Sequence, residues 1–447
     1  MRRTLAAFPF LAMALAPGAS AQAPVDSAIL SYIASIKAVD VHAHPMRVVS
    51  PRAAPDTEFD ALPLDGLPPS GAPYRLRPEN PEWMAGWRAL YGYRYADTLA
   101  SHMAELNAAR ERVAREQGDH FPDWALDRAG IDVMFANRIV MGAGLGQRFR
   151  WVPFADALML PLDTRSEAAR TPDTRALYPL ETTLLRRYLR DLGLAAVPAT
   201  LDAYRRRVVT PTLERQRAGG AVAVKFEAAY LRSLDFEPSS AADAARIYAR
   251  YARGGAPTRA EYKTLEDHLF YYIASEAGRL GMAVHIHATD GGGGFYSARG
   301  SDPLLLQSVF NDTSLRRTTF VIIHGGWPLT RNTLAMMHKP NVYADISSMT
   351  FATPARSLAN VLREWLAIEP EKVLFGTDAF ASPGQGWEEV ALLSANTARG
   401  ALAIALTDMM RDGEVTRDRA QELARWVMRE NAIRAHKGIV PGASATP

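Results

Sequence analysis

Eight short runs rich in Val, Ile, Phe and Ala recur along the chain, and helical patterns separate several of them. Runs that are apolar on both faces are typical of parallel strands covered by helices. Between two runs, Leu265, Leu269, Ile273 and Leu280 fall on one helix face, and Gly281 follows as a stop. The predicted strands are residues 38–43, 130–136, 149–155, 221–227, 282–287, 318–324, 341–346 and 372–377.

Strands that alternate with helices predict an α/β fold, and eight such units predict a (β/α)8 TIM barrel. The chain is longer than the roughly 250 residues typical of that fold. We assign the surplus to insertions after strands 1 and 3, near residues 46–128 and 157–219. The first insertion, with its Pro/Gly-rich stretch and five aromatic residues between 83 and 95, is open to two interpretations: a cap over the barrel mouth or a peripheral helical decoration.

The N-terminus predicts export. Arg2 and Arg3 precede an apolar stretch from Leu5 to Leu15 and small residues ending at Ala21, which is the pattern of a secretory signal peptide over residues 1–21. The apolar stretch is about half the ~20 residues that a membrane span needs. We therefore expect a periplasmic or secreted protein, with a barrel over 22–437 and a disordered tail over 438–447.

Composition narrows the chemistry. The sequence is 48% hydrophobic and 22% charged, which is ordinary for a soluble enzyme, and loss of Arg2 and Arg3 would lower the net charge of +3 by two. This balance gives no support to a nucleic-acid or membrane-surface partner, so we expect a small-molecule substrate. The chain has no cysteine, which excludes thiolate ligands and a cysteine nucleophile. A homo-oligomer is left open.

Five of the ten histidines lie where predicted strands end. His42 and His44 follow strand 1 two residues apart, so both imidazoles project from one face. His287 ends strand 5 and His324 ends strand 6, while Asp378 follows strand 8. Because the strands of a barrel place their C-terminal ends at one rim, this pattern predicts a divalent-metal site, most consistent with zinc, of one or two ions.

Five further positions are assigned by their place on the strands or just past them. His285 is expected to support the ligand His287, and Asp40 offers a partner to the ligating histidines. Arg232, Tyr230 and Trp327 lie just past strand ends and are candidate substrate-binding residues, with a structural role as the alternative. The glycines of residues 290–295 predict a hinged loop.

Lys225 is unusual because it would place an ammonium beside a dication, at the rim end of strand 4. Three outcomes are open: a neutral amine, an ion pair with Glu227 or Asp345, or a carbamate formed with carbon dioxide. A carbamate is an anionic bidentate group that could bridge two metal ions.

The ordered set His42-x-His44, Lys225, His287, His324 and Gly376-Thr377-Asp378 resembles the amidohydrolase superfamily, within it the amidohydrolase-related group that also contains non-oxidative decarboxylases. The stretches 224–230, 324–328, 341–345 and 430–432 look similar too. The resemblance spans residues 38–437, apart from the two long insertions.

The resemblance implies one metal held by His42, His44, His287 and Asp378, with His324 as an acid/base group. In a two-metal version, His287 and His324 hold the second ion and modified Lys225 bridges. Asp378 and His324 are then the catalytic residues of a metal-dependent hydrolase that cleaves an ester, lactone or amide bond. The alternatives are a mononuclear decarboxylase, whose pattern lacks the lysine, and an exported metal-binding protein without catalysis.

Overall fold

A computed structural model describes residues 24–47, 56–62, 73–142, 144–171, 173–289, 297–382 and 384–438. The predicted signal peptide, the glycine-rich loop and all of the predicted tail except Gly438 lie outside the described residues.

All eight predicted strands are present, although several are shorter than predicted. The longest is β2 and the shortest is β8, which keeps only Val373 and Leu374. The strands are β1 Ala38–Ala43, β2 Ile131–Asn137, β3 Phe149–Val152, β4 Ala223–Phe226, β5 Ala283–His287, β6 Phe320–Ile323, β7 Val342–Asp345 and β8 Val373–Leu374.

The strands form a parallel (β/α)8 barrel. Two parallel groups run in the order β1-β2-β3 and β4-β5-β6-β7-β8. Backbone hydrogen bonds join them at both edges: the Lys225 N–H donates to the Pro153 carbonyl at 2.8 Å, and the Val41 N–H donates to the Phe375 carbonyl at 3.0 Å. The C-terminal ends of all eight strands therefore meet at one rim.

The helices lie before the first strand, between the strands and after the last strand. The amphipathic pattern between β4 and β5 forms the 21-residue helix α10, which begins with a capping box of Thr258 and Glu261. The helices before β4 are α1 Ser27–Ser35, α2 Glu82–Tyr91, α3 Ala100–Gln117, α4 Phe121–Ala129, α5 Arg165–Ala168, α6 Tyr178–Asp191, α7 Leu201–Tyr204 and α8 Thr210–Ala218. Those after β4 are α9 Ala241–Tyr251, α10 Arg259–Arg279, α11 Gln307–Asn311, α12 Thr330–Met337, α13 Met349–Ala352, α14 Ala355–Ile368, α15 Trp387–Arg411, α16 Arg417–Arg425 and α17 Asn431–Ala435.

The apolar interior is divided into two clusters. Alternate strand residues such as Val133, Phe135 and Val321 fill the barrel, and Ala432 and Ala435 of α17 close its lower end. The larger cluster lies between the strands and the surrounding helices. Within the described residues, α15 alone is long and apolar enough to cross a membrane, but 83% of its apolar window is buried against the rest of the protein.

The segment between β1 and β2 reaches the barrel mouth and also packs on the outside. Asp60 Oδ2 lies 3.6 Å from His44 Nδ1, so residues 56–62 cover the rim. Trp87 of α2 is fully buried, and its indole N–H donates to Glu389 of α15 at 3.2 Å. Residues 56–62 therefore lie over the barrel mouth, and α2 packs on the outside of the barrel.

Candidate metal centre

A β-bulge near the end of β1 positions the first two histidines. Asp40 pairs with Met134 and Ala43 with Ala136, so β1 contains one more residue than β2 over this interval. The extra residue allows Val41 to fill the barrel interior while His42 and His44 both face Asp378. The two imidazoles share one side as predicted, but the bulge helps to place them there.

His42, His44 and Asp378 form a compact set. Asp378 Oδ1 lies 3.2 Å from His42 Nε2 and 3.6 Å from His44 Nε2. One ligand atom from each of the three residues lies within 4.8 Å of the others. This spacing suits a single ion bound by two nitrogens and one oxygen.

His324 and His287 lie beside this set. His324 Nδ1 is 3.6 Å from Asp378 Oδ2, and its Nε2 is 3.0 Å from His287 Nδ1. His287 Nε2 is buried and has no hydrogen-bond partner in the described part of the chain. The structure thus brings together all five predicted nitrogen and oxygen ligands, with His287 reaching the set through His324.

The charge state of the imidazoles fits a metal. Burial, followed by the charge of Lys225, lowers the pKa of His42 and of His287 well below the ordinary value. Burial likewise lowers the pKa of His324, with His287 as the next cause. Neutral imidazoles offer the lone pair that a metal requires, so the donor set fits a divalent ion such as zinc.

The backbone at the rim is held in an uncommon conformation. His324 and Asp378 have φ values of 65° and 54°, which non-glycine residues seldom adopt. Gly376 is required by a close approach, since a Cβ there would lie 2.5 Å from Asp345 Oδ2. Strain of this kind is typical of functional sites and accompanies the orientation of both side chains.

Buried polar contacts fix the ligands. Asn137 Nδ2 is 2.8 Å from His42 Nδ1 and donates to the Ala43 carbonyl at 3.1 Å. Ser347 Oγ lies 2.9 Å from His324 Nδ1. Asp40 does not contact an imidazole: it accepts hydrogen bonds from the backbone N–H groups of His42 and Thr377, so it joins β1 to the end of β8.

Lys225 is 1% exposed, and its Nζ lies 3.3 Å from His42 Nε2. No ion pair between Lys225 and Glu227 or Asp345 forms within 4.0 Å among the described residues. The amine therefore lies against a predicted ligand, where a neutral or a carbamylated group would avoid repulsion of a dication.

His285 has a different role from the predicted one. Its Nε2 lies 2.8 Å from His436 Nε2, and the ring is near Phe135 inside the barrel. His285 therefore pairs with the C-terminal segment and not with His287. The partner is 151 positions away in sequence, which local strand patterns do not reveal.

The three predicted substrate-binding residues make three different kinds of contact. Arg232 forms ion pairs with Glu266 and Asp267 at 2.9 and 2.8 Å, so its guanidinium ties the loop after β4 to α10. These ion pairs agree with the structural alternative, and the substrate-binding assignment stays a prediction, since Arg232 also lines a cavity together with Tyr230. The Tyr230 ring is 4.3 Å from the ring of His287, centroid to centroid, and Tyr230 lines a cavity of about 260 Å³. The Trp327 carbonyl accepts a hydrogen bond from Thr289 at 2.6 Å.

Sequence reasoning missed several residues around the centre. Asn137 ends β2 and Ser347 follows β7, so the rule that polar residues at strand ends face the rim could have found both. Asp60 and Glu181 belong to the two long segments, where the sequence shows no strand pattern. Asp156 follows β3 in a short 3₁₀ turn.

The fold and the site define a class: a (β/α)8 barrel with a histidine–aspartate metal site at its rim. The amidohydrolase family model matches residues 188–436, more than half of the sequence. The chain belongs to the amidohydrolase family. No curated protein matches it.

Solved structures agree with the fold. A Lactobacillus casei protein described as a metal-dependent hydrolase aligns with a TM-score of 0.57 at 15% identity, over 92% of this chain and 98% of that one. Glucuronate isomerase from Caulobacter crescentus aligns with a TM-score of 0.60 at 12% identity, over 91% and 92% of the two chains. Uronate isomerase from Thermotoga maritima gives 0.57 at 12% identity, over 80% and 78%. At these identities the similarity concerns the fold alone.

Proposed function

We propose that this protein is an exported metal-dependent hydrolase that uses an activated water to cleave an ester, lactone or amide bond in a small molecule. The supporting observation is the position of Asp378, whose carboxylate approaches His42 and His44 with one oxygen and His324 with the other. This arrangement places one proton-accepting oxygen next to the predicted ligands and another next to an acid/base histidine.

The metal would be held by His42, His44 and Asp378, with His287 as a further ligand. When bound, a divalent ion such as zinc polarises the scissile carbonyl and lowers the pKa of water toward ~7. The protein residues supply the remaining chemistry.

Asp378 accepts the proton of the attacking water and delivers it to the leaving group. His324 lies beside Asp378 Oδ2 and is oriented by Ser347, so it can stabilise the developing oxyanion or assist the transfer. The ring of Tyr230 covers His287 and limits how water and substrate approach from that side.

Lys225 determines the number of ions in this proposal. If its Nζ carried a carbamate, that group would be an anionic ligand able to join two ions, and His287 and His324 would hold the second. The support is its burial and its 3.3 Å distance from His42 Nε2. Without the carbamate, the site holds one ion.

The test is turnover by the metal-loaded mature protein on esters, lactones, amides and dipeptides, with carboxylated aromatics and glucuronate in parallel. We expect hydrolysis of at least one substrate class and loss of that activity with a chelator. Loss of carbon dioxide from carboxylated aromatics without hydrolysis would establish the decarboxylase instead. Isomerisation of glucuronate, or an intact metal site without turnover, would also contradict the proposal.

Export is tested separately by N-terminal sequencing of the protein from its native cells. We expect a mature N-terminus near Gln22 and a location outside the cytoplasm. An uncleaved N-terminus in the cytoplasm would contradict this part of the proposal.

A further inference from the structure

Four carboxyl groups lie near one another beside the metal centre. Asp156 follows β3, Glu227 follows β4, Glu181 lies on α6, and Asp60 belongs to the segment over the mouth. The charges of Asp156 and Asp60 act on Glu181, those of all three act on Glu227, and Asp60 lies 3.6 Å from His44. We call this set the acidic cluster. Asp156, Glu181 and Glu227 are 0%, 1% and 3% exposed. The Asp60 side chain is 17% exposed, so the cluster has one member that faces the solvent side of the mouth.

Several side-chain oxygens of the buried members have no hydrogen-bond donor within the described residues. Asp156 Oδ2 accepts from the Glu227 backbone N–H at 2.7 Å, but Asp156 Oδ1 and Glu227 Oε2 have no partner within the described residues. Both side-chain oxygens of Glu181 are also buried and unpartnered there. Buried oxygens without donors are costly, typically by about 1–3 kcal/mol each. Glu181 is therefore a buried carboxyl group whose two oxygens are both available to a hydrogen-bond donor.

The charges around the cluster are unbalanced. Asp60 and Asp156 repel Glu181, and no cation is among the groups that act on it within the described chain. In its unmodified, protonated form, Lys225 is a cation that acts on Asp156 and on Glu227. Burial raises the pKa of Asp156 to about 7 and that of Glu181 well above its ordinary value. An incoming cation would favour the ionised carboxylates and replace the missing donors.

The geometry favours an organic cation over a metal ion. Among the described residues, the set whose ligand atoms converge for a metal is His42, His44 and Asp378, and no member of the acidic cluster belongs to it. An ammonium group needs only separate N–H···O bonds to two or three oxygens, which a spread cluster can provide.

We propose that the acidic cluster binds an ammonium group of the substrate, so that the enzyme acts on amino-substituted esters or amides, such as those of amino acids with a free amine. Glu181 and Asp156 accept its hydrogen bonds, and Lys225 separates this subsite from His42. This inference rests on the proposed function for the bond cleaved, but the binding of the ammonium group can be tested without turnover.

The binding test uses calorimetry of the metal-loaded mature protein with n-butylammonium and with n-butanol, its uncharged analogue. We expect the ammonium to bind at least about tenfold more tightly, and Glu181→Gln to remove at least about tenfold of that affinity. Asp191→Asn, an exposed carboxylate on the same helix, is the matched control and should bind like the wild type. Asp156→Asn is the second variant if thermal melting shows that Glu181→Gln does not fold.

Equal affinity for the two probes would overturn the inference, as would wild-type affinity in Glu181→Gln and in Asp156→Asn. Ammonium binding that disappears with the metal and is unaffected by Glu181→Gln would assign the contact to the metal instead. A divalent ion bound in addition to those of the metal centre, and lost in Glu181→Gln, would show that the cluster is a cation site of another kind.

The kinetic test compares leucine methyl ester with its N-acetyl derivative. We expect kcat/KM to be at least about tenfold higher for the free amine, and this ratio to fall in Glu181→Gln but not in Asp191→Asn. A ratio near one in the wild type would contradict the inference while leaving hydrolysis intact. Absence of all turnover would count against the proposed function, and the calorimetric result would still decide the ammonium subsite.

Discussion

The parts of the chain inside and outside the family match contribute differently to one site. Residues 188–436 supply Lys225, His287, His324 and Asp378 from the ends of β4, β5, β6 and β8, and mostly short connections separate these strands. The preceding residues supply His42 and His44 from a bulged strand.

The residues before 188 also include the segment 56–62, which covers the rim. Asp60 lies between β1 and β2, and Asp156 and Glu181 lie between β3 and β4. Three of the four members of the acidic cluster are therefore outside the family match. Under the two proposals, the strand ends provide the reactive centre, and the long segments provide the groups that select a substrate. This agrees with the general placement of specificity in the loops of barrel enzymes.

The largest expected effect is in the reactive centre. Asp378→Asn should lower kcat by at least about 10³-fold, because the amide cannot accept the proton of water. Circular dichroism should show an intact fold, since asparagine keeps the size of the side chain. Asp418→Asn, an exposed carboxylate on α16, is the control. A near-normal rate in Asp378→Asn would remove this residue from proton transfer.

In the part of the first insertion that packs outside the barrel, Trp87→Ala should lower stability while leaving the metal centre unchanged. The indole is fully buried, stacks on Trp83 and donates to Glu389. Its loss should cost about 3–5 kcal/mol of unfolding free energy, measured by denaturant titration. Leu99→Ala is the control, because Leu99 is 59% exposed. A parallel loss of metal affinity would show that the two regions are not separable.

The pH dependence of stability probes the contact between α2 and α15, where the Tyr91 hydroxyl donates to Glu388. Burial, followed by the charge of Glu389, raises the pKa of Glu388 from 4.5 to about 7. A raised carboxyl pKa contributes stability that is present below pH 4.5 and is lost as the pH rises through about 7. Glu388→Gln should therefore reduce the fall in unfolding free energy over this window, by at most about 1.4 kcal/mol per pH unit. An identical pH profile in the variant would contradict the assignment.

The smallest effect concerns a positioning residue. Asn137 contacts His42 Nδ1, so Asn137→Ala should weaken metal binding by about tenfold through loss of ring orientation. Competition with a fluorescent chelator measures this affinity. Restoration of affinity by Asn137→Gln but not by Asn137→Leu would support a polar contact. Unchanged affinity in Asn137→Ala would exclude the role.

The fold was predictable because each strand is a short apolar run, and the metal residues were predictable because they follow those runs directly. The bulge in β1 was not, since the sequence Asp40 to His44 reads as regular alternation. The ion pairs of Arg232 were not predictable because its partners Glu266 and Asp267 lie on α10, at positions that strand patterns do not relate to the loop after β4. His285 was misassigned for the same reason, as its partner His436 is near the C-terminus. Glu181 was missed because it lies on α6, and the strand pattern does not show which helix residues reach the rim.

Metal dependence is the central claim, and turnover measured against bound metal per chain tests it most directly. Metal content from inductively coupled plasma mass spectrometry should rise together with turnover as zinc is returned to the metal-free protein. With a carbamate on Lys225, we expect about two ions per chain in the wild type and about one in Lys225→Ala. Two ions persisting in Lys225→Ala would exclude the bridge. Full turnover by the metal-free protein would contradict the account.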